Sequence, residues 1–444
     1  MMAEPLTVLF MPESAYGPTN NCVGIGDVLR RRGHRVVFAA EASWAGRLEP
    51  LGFVEDLVDL APPPEPDPSG AAPDAGQFWK DFIRDTAPEF RRPTIDQLAT
   101  FMQPTWQALI DGARYCEPQL REIIGRNAPD VIVEDNVVSF PALQTADNPF
   151  VRIVSCQPLE IRGEDPEAAA AIPPAYSGLP ADDPAEWAAF REEYDRTHRP
   201  TWSAFDDWCR ENGTRPLPDL EFIHPSTELN LYVYPAVIDY TDRRPLDPTL
   251  WRRLDSSVRA TESAFEVPRD LADRPPDSGL IYLSLGSLGS ADVDLMRRLV
   301  AVLADTPHRF IVSKGPQHDQ YELAPNMWGA EFVPQTSIIP LVDLVITHGG
   351  NNTTTEAFHF GKPIIVLPLF WDQYDNAQRV DETGFGVRLP TYSFERGDLT
   401  GAIDRVLANG ELRTRLAGIG AEIRQRDGVA AAAGAIEAVG RAGR

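Results

Sequence analysis

Short apolar runs alternate with helix-patterned stretches along this chain, and the alternation starts twice. "LTVLFM" (6–11) reads as a buried strand. "NCVGIGDVLRRRGH" (21–34) then has apolar residues at helical spacing, with Gly33 as a C-terminal stop, and "RVVFAAE" (35–41) is the next strand. "PDVIVEDNVVSFPAL" (129–143) is a strand ending at Asp135 and followed by a helix, and "FVRIVSC" (150–156) is another strand. A stretch of proline and charge covers 241–279, and beyond it the rhythm resumes with "LIYLSLGS" (280–287), "RFIVSKG", "DLVITHGG", "PIIVLPL" and "FGVRL". Strands alternating with helices imply parallel sheets covered on both faces. The fold class is therefore α/β, with two doubly wound halves. The expected domains are 1–240, a connection over 241–278, a second domain over 279–420 and a helical tail over 421–444. Ligands of such sheets sit at the carboxyl ends of the strands, so the cleft between the halves is the expected site.

The formal net charge of −25 argues against nucleic acid or an anionic membrane surface as partner. The four cysteines are scattered with no CxxC pair, which fits a reduced compartment and neither a disulfide framework nor a zinc site. The N-terminal apolar run is too short for a signal peptide, and no stretch approaches the ~20 apolar residues that would span a bilayer. A cytoplasmic location is expected. Two irregular stretches, 61–76 and 163–187, interrupt the first half and are candidate binding loops. Trp79 and Trp106 stand near them, either lining a pocket for a small molecule or packing a core.

The stretch "VITHGGNNTTTEAFHFGKPIIVLP" (345–368) puts a glycine turn between a strand and a helix. His348, Gly349 and Gly350 let backbone approach a ligand, and the first N–H groups of the helix have no internal partner, so an anion is favoured there. Asn351 follows the glycines, and Asn352 and Thr353 add side-chain donors. A diphosphate uses several donors at once. Glu356, one turn on, can accept two hydrogen bonds from the vicinal diol of a ribose. In "PLFWDQYDN", Asp372 and Gln373 suit sugar hydroxyls, and in "AEFVPQTSIIP", Phe332 and Gln335 offer a face and an edge to a nucleobase. Together these residues describe one ligand: base, ribose, diphosphate and sugar.

The block from Phe332 to Gln373 resembles the nucleotide-sugar signature of the GT-B, family 1 glycosyltransferases, which include plant secondary-product and bacterial macrolide enzymes. The resemblance implies two facing Rossmann-like domains and an inverting, metal-independent hexosyl transfer with no cofactor. The partners it implies are a UDP- or dTDP-sugar and a small aromatic or polyketide-type acceptor, in a monomer or homodimer. It implies that His348, Asn352 and Thr353, assisted by Ser287, hold the diphosphate, that Glu356 holds the ribose, and that Asp372 and Gln373 hold the hexose. Phe332 stands where plant enzymes stack a tryptophan on the base, and Asn351 stands where they have another tryptophan. A ribose 2′-hydroxyl for Glu356 favours UDP.

One position departs from the pattern. The family's acceptor-activating histidine falls at Pro18, which has no proton-accepting group. Its partner aspartate is matched by Asp135. Either Asp135 or Glu13, at the end of the first strand, takes the proton, or the acceptor is acidic enough to need only orientation, or the chain binds sugar nucleotide without transferring sugar. Tyr16, Asn20 and Asn21 lie in the same loop as candidate acceptor contacts, with helix capping as the alternative for the two asparagines and packing for Tyr16. A nucleotide-sugar hydrolase or epimerase and a non-catalytic helper are the competing functions.

Overall fold

The computed structural model describes residues 4–62, 85–163 and 165–443. Trp79 lies outside them. The apolar runs form two parallel sheets. The first has seven strands in the order β3-β2-β1-β4-β5-β6-β7: Thr7–Pro12 (β1), Arg35–Phe38 (β2), Val54–Glu55 (β3), Val131–Asp135 (β4), Phe150–Val154 (β5), Leu229–Val233 (β6) and Trp251–Leu254 (β7). The second has six in the order β10-β9-β8-β11-β12-β13: Leu280–Ser284 (β8), Arg309–Ser313 (β9), Met327–Ala330 (β10), Leu344–Thr347 (β11), Ile364–Val366 (β12) and Gly386–Arg388 (β13). In both, strand order reverses beside the first strand, between β1 and β4 and between β8 and β11. Crevices at such points bind ligands.

The long helices that cover the sheets, numbered here in chain order, are Tyr16–Arg31 (α1), Gln103–Asn127 (α2), Pro184–Glu211 (α3), Val293–Leu303 (α4), Asn351–His359 (α5), Gln373–Glu382 (α6), Arg396–Ala408 (α7), Gly410–Arg426 (α8) and Gly428–Ala442 (α9). Central strands such as β4, β5 and β8 are buried at every residue, as two covered faces require.

Two boundaries differ from the sequence reading. Helix α1 begins at Tyr16, not near Asn21, so Asn20 and Asn21 lie inside it and cap nothing. Its start is poor in helix formers, but Pro18 sits in the first turn, where no N–H is needed, and docking supplies the rest. The connection expected over 241–278 contains β7, an edge strand of the first sheet whose charged residues hid it. Helix α9 returns to the first domain. Its buried Ala432, Ala433, Ala435 and Ile436 join the core of β1, β4 and α1. Glu437 meets His34 Nε2 at 2.9 Å and Arg32 at 3.0 Å.

Candidate active site

The carboxyl ends of the two sheets face each other, and the reversal point of each carries one half of the site. In the second domain, β11 ends at Thr347, paired with Ser284 of β8. His348, Gly349 and Gly350 turn the chain into α5. Gly349 has φ +88°, and a Cβ there would lie 2.6 Å from Val366 Cγ1 and 3.1 Å from the Gln373 carbonyl. A Cβ on Gly350 would lie 2.6 Å from His348 Nε2. No side chain caps α5 and its first turn has no acidic residue, so its free N–H groups and positive dipole end are open to an anion. Burial pushes the His348 imidazole down to about 4. At neutral pH it is uncharged. Ser287, half-buried, stands in the turn after β8 on the same rim.

Glu356 is buried, and burial raises its pKa, opposed by Arg259. One oxygen accepts from Arg259 Nη1 at 3.0 Å and the other from Gln335 Nε2 at 2.5 Å. Gln335 also donates to Thr353 Oγ1 at 3.2 Å and accepts from the Tyr282 hydroxyl at 2.9 Å. Its amide is thus a strut behind Glu356, and a free nucleobase edge is not what this side chain presents. Phe332 does project: it is 51 % exposed. Gln373 uses Oε1 on the Leu369 and Phe370 N–H groups at 3.1 and 3.2 Å, which shapes the turn before α6.

In the first domain, Pro12 of β1 pairs with Asp135 at the end of β4, and the Glu13 N–H donates to the Asp135 carbonyl at 2.7 Å. Both carboxyls lie at the reversal point. Asp135 is buried. Its Oδ1 accepts from Ser155 Oγ at 2.8 Å, and its Oδ2 is buried with no partner. Burial pushes its pKa up to about 8. Glu13 is different: Oε1 accepts from Ser14 Oγ and Oε2 from the Ala15 N–H, each at 2.8 Å, so it is folded onto its own loop.

The halves meet through polar bonds that sequence spacing did not indicate. Asn352 donates to the Gly17 carbonyl at 2.9 Å and accepts from Asn21 Nδ2 at 3.0 Å, which places Asn21 against the donor helix and not on an acceptor face. Asn351 donates to the Ser155 and Val233 carbonyls at 2.7 and 2.9 Å, so its side chain clamps the first domain. Asp372 Oδ2 accepts from the Gln157 N–H at 3.0 Å. Asp375 accepts from the Tyr176 and Gly178 N–H groups at 2.5 and 2.8 Å. Trp106 is buried, stacked on Phe222 at 4.2 Å and touching Trp371 at 4.8 Å, which makes it seam packing. Asn20 is half-buried on α1. A cavity of about 300 Å³ opens at the same seam, between Phe90 and Arg91 of the first domain and Leu288, Leu369 and Tyr392 of the second.

Comparison with known proteins agrees with this geometry. Residues 269–417 match the family described as UDP-glucoronosyl and UDP-glucosyl transferase. The oleandomycin glycosyltransferase of Streptomyces antibioticus is 25 % identical over 98 % of this chain and 91 % of its own. The crystal structure of the glycotransferase of kitacinnamycin superposes with TM-score 0.70 at 20 % identity, over 98 % of this chain and all of that one. This chain has the GT-B fold, and its second domain carries the family 1 glycosyltransferase signature. A further structure, the glycosyltransferase VinC in complex with DTDP, superposes with TM-score 0.64 at 16 % identity, over 98 % of this chain and 100 % of VinC.

Of the two readings open for Tyr16, packing and acceptor contact, the structure favours packing. That ring lies 5.6 Å from Phe332, centroid to centroid, and its hydroxyl accepts from Arg47 Nη1 at 2.6 Å. It therefore braces the exposed ring expected to carry the base. Tyr16→Ala is expected to weaken UDP binding about 2–10-fold, the worth of one aromatic pair, measured by calorimetry. An unchanged UDP affinity with a changed acceptor KM would return Tyr16 to the acceptor side. Among the described residues, no helix is long and apolar enough to cross a membrane.

The buried acids also set a pH dependence of stability. Burial pushes Asp135, Asp372 and Asp375 up to about 8, 7 and 8. The folded chain keeps these protons where the unfolded chain, with carboxyls near 4, has lost them. Stability is thus fully present below about pH 4 for these groups and falls as pH rises through 7–8. Asp56, whose pKa Arg126 lowers, acts in the opposite sense and only below its ordinary value. The thermal midpoint is expected to be higher at pH 5.5 than at pH 8.5, and less so in Asp375→Asn. A flat profile across that window would contradict the assignment.

Proposed function

We propose that this chain moves a hexose from a UDP- or dTDP-sugar to a hydroxyl of a small aromatic or polyketide-type natural product, with inversion and without a metal ion. The diphosphate lies at the start of α5, held by its N–H groups, Thr353, Ser287 and the neutral His348. Asp372 and Gln373 hold the hexose, and Phe332 carries the base. The acceptor oxygen attacks the anomeric carbon, the bond to the diphosphate breaks, and the acceptor proton passes to Asp135 Oδ2. The observation that carries this reading is the unpartnered, buried Oδ2 at the first sheet's reversal point. It stands in place of the base that Pro18 cannot supply. Glu13 is the second candidate, but both its oxygens are taken.

Each oxygen of Glu356 already has one partner, so a ribose 2′-hydroxyl would have to use a remaining lone pair beside Arg259 and Gln335. One relative is named for oleandomycin and one structural neighbour for kitacinnamycin, which supports a natural-product acceptor. The test is a mass-spectrometric screen of UDP- and dTDP-glucose against pooled phenols, polyketides and polyols. A glycoside of inverted anomeric configuration is expected. Free sugar or an isomerised donor without any acceptor would make the chain a hydrolase or epimerase, and nucleotide binding without turnover would make it a helper.

A further inference from the structure

We infer that Ser155 is the positioning residue of the base: its hydroxyl fixes Asp135 through Oδ1 and leaves Oδ2 as the one oxygen able to take the acceptor's proton. The inference rests on Asp135 being that base. Ser155 follows β5, the neighbour of β4, so the sheet itself brings the hydroxyl to 2.8 Å from Oδ1. Oδ2 is buried with no partner. A carboxylate with one oxygen satisfied and one bare has a defined direction for accepting a proton, which a freely rotating carboxylate lacks. The Ser155 peptide cannot drift, because its carbonyl accepts from Asn351 Nδ2 at 2.7 Å and the same amide group spans to Val233 at 2.9 Å. Asn351 is the first residue of α5. The base is therefore seated against the helix end proposed to hold the leaving diphosphate, through a single serine.

The charged and titratable groups around Asp135 come from three elements and the loops that follow them. Glu13 follows β1, Cys22 lies on α1, Arg152 belongs to β5, and Cys156 follows it. Arg152 is committed to Glu134 at 2.8 Å, with both side chains fully buried. Glu13 disfavours the carboxylate, the thiols leave it unaided, and Arg152 favours its charge without a hydrogen bond to it. Ser155 is thus the hydrogen-bond donor on the carboxyl itself, and donors favour the charged form.

The experiment is an infrared pH titration of the full chain. The protonated-carboxyl band that vanishes in Asp135→Asn identifies the group. In Ser155→Ala its midpoint is expected to rise by about one unit, the usual effect of losing a hydrogen bond to a charged group. In Ser155→Thr, which keeps a hydroxyl, it should stay at the wild-type value. The basic shift should reappear in the pH profile of kcat for UDP-glucose with 4-methylumbelliferone. If Asp135→Asn transfers sugar at the full rate, the base assignment falls and this inference with it. If Asp135→Asn is inactive while Ser155→Ala moves neither the band nor the profile, only the role of Ser155 is overturned.

Discussion

Asp135→Asn is expected to lower kcat/KM for sugar transfer about 10²–10⁴-fold, the usual contribution of a positioned general base, and to leave UDP binding unchanged. Two features make this substitution informative. Asp135 sits in the first domain and reaches the α5 end only through Ser155 and Asn351, with no contact of its own to the turn proposed to hold the diphosphate, so donor affinity should not report its loss. It also titrates at about 8, so near neutral pH the buried group is mostly an uncharged carboxyl, and the near-isosteric amide replaces it without burying a new charge. The thermal midpoint should therefore hold at pH 7 while the rate collapses. In the unsubstituted protein, transfer should rise with pH through about 8, as Asp135 gives up its proton. Activity within a few-fold of normal in the variant would point to an acceptor acidic enough to need orientation alone.

Gly349→Ala is expected to destabilise the chain by about 2–6 kcal/mol and to abolish nucleotide binding. Forcing an alanine to φ +88° costs about 1–3 kcal/mol. Its methyl would also lie 2.6 Å from Val366 Cγ1 and 3.1 Å from the Gln373 carbonyl, an overpacking that adds about 1–3 kcal/mol. Neither neighbour is the loose end of a flexible chain: Val366 is buried in β12, and the Gln373 carbonyl is backbone at the start of α6. The turn must shift, and the α5 amides move with it. A lower urea midpoint together with no heat on UDP addition is the expected pair of readings. Normal UDP affinity would show that the diphosphate sits elsewhere.

What the sequence could and could not convey follows from the kind of signal each part leaves. Strands β1, β4, β5, β8 and β11 are mostly apolar because both faces are covered, so they stood out as runs despite the buried Arg152–Glu134 pair and Asp135. The 348–350 turn stood out because backbone that bends tightly under a ligand needs glycine. The edge strand β7 did not, since its arginines and short length resemble the charged connection around it. The polar bonds across the seam left no local trace at all. Arg259 reaches Glu356 across 97 residues, Ser155 reaches Asn351 across 196, and Asn21 reaches Asn352 across 331. A lone serine or arginine in a loop carries no periodicity, and only the fold pairs it. For the same reason Asn351 and Asn352, read as ligand donors from their place after the glycines, turned out to hold the other domain. The motif located the helix end correctly but said nothing about which way each amide points.

The return of α9 to the first domain has a practical consequence for anyone recombining such proteins. The two catalytic halves are contiguous in space but not in the chain, since residues 428–442 complete the half to which they are not adjacent in sequence. A hybrid spliced once, between β7 and β8, would therefore import a foreign terminal helix onto the recipient's sheet and lose the match of Glu437 to Arg32 and His34. A donor-swapped hybrid needs two junctions, the second just before Gly428, so that each half keeps its own lid.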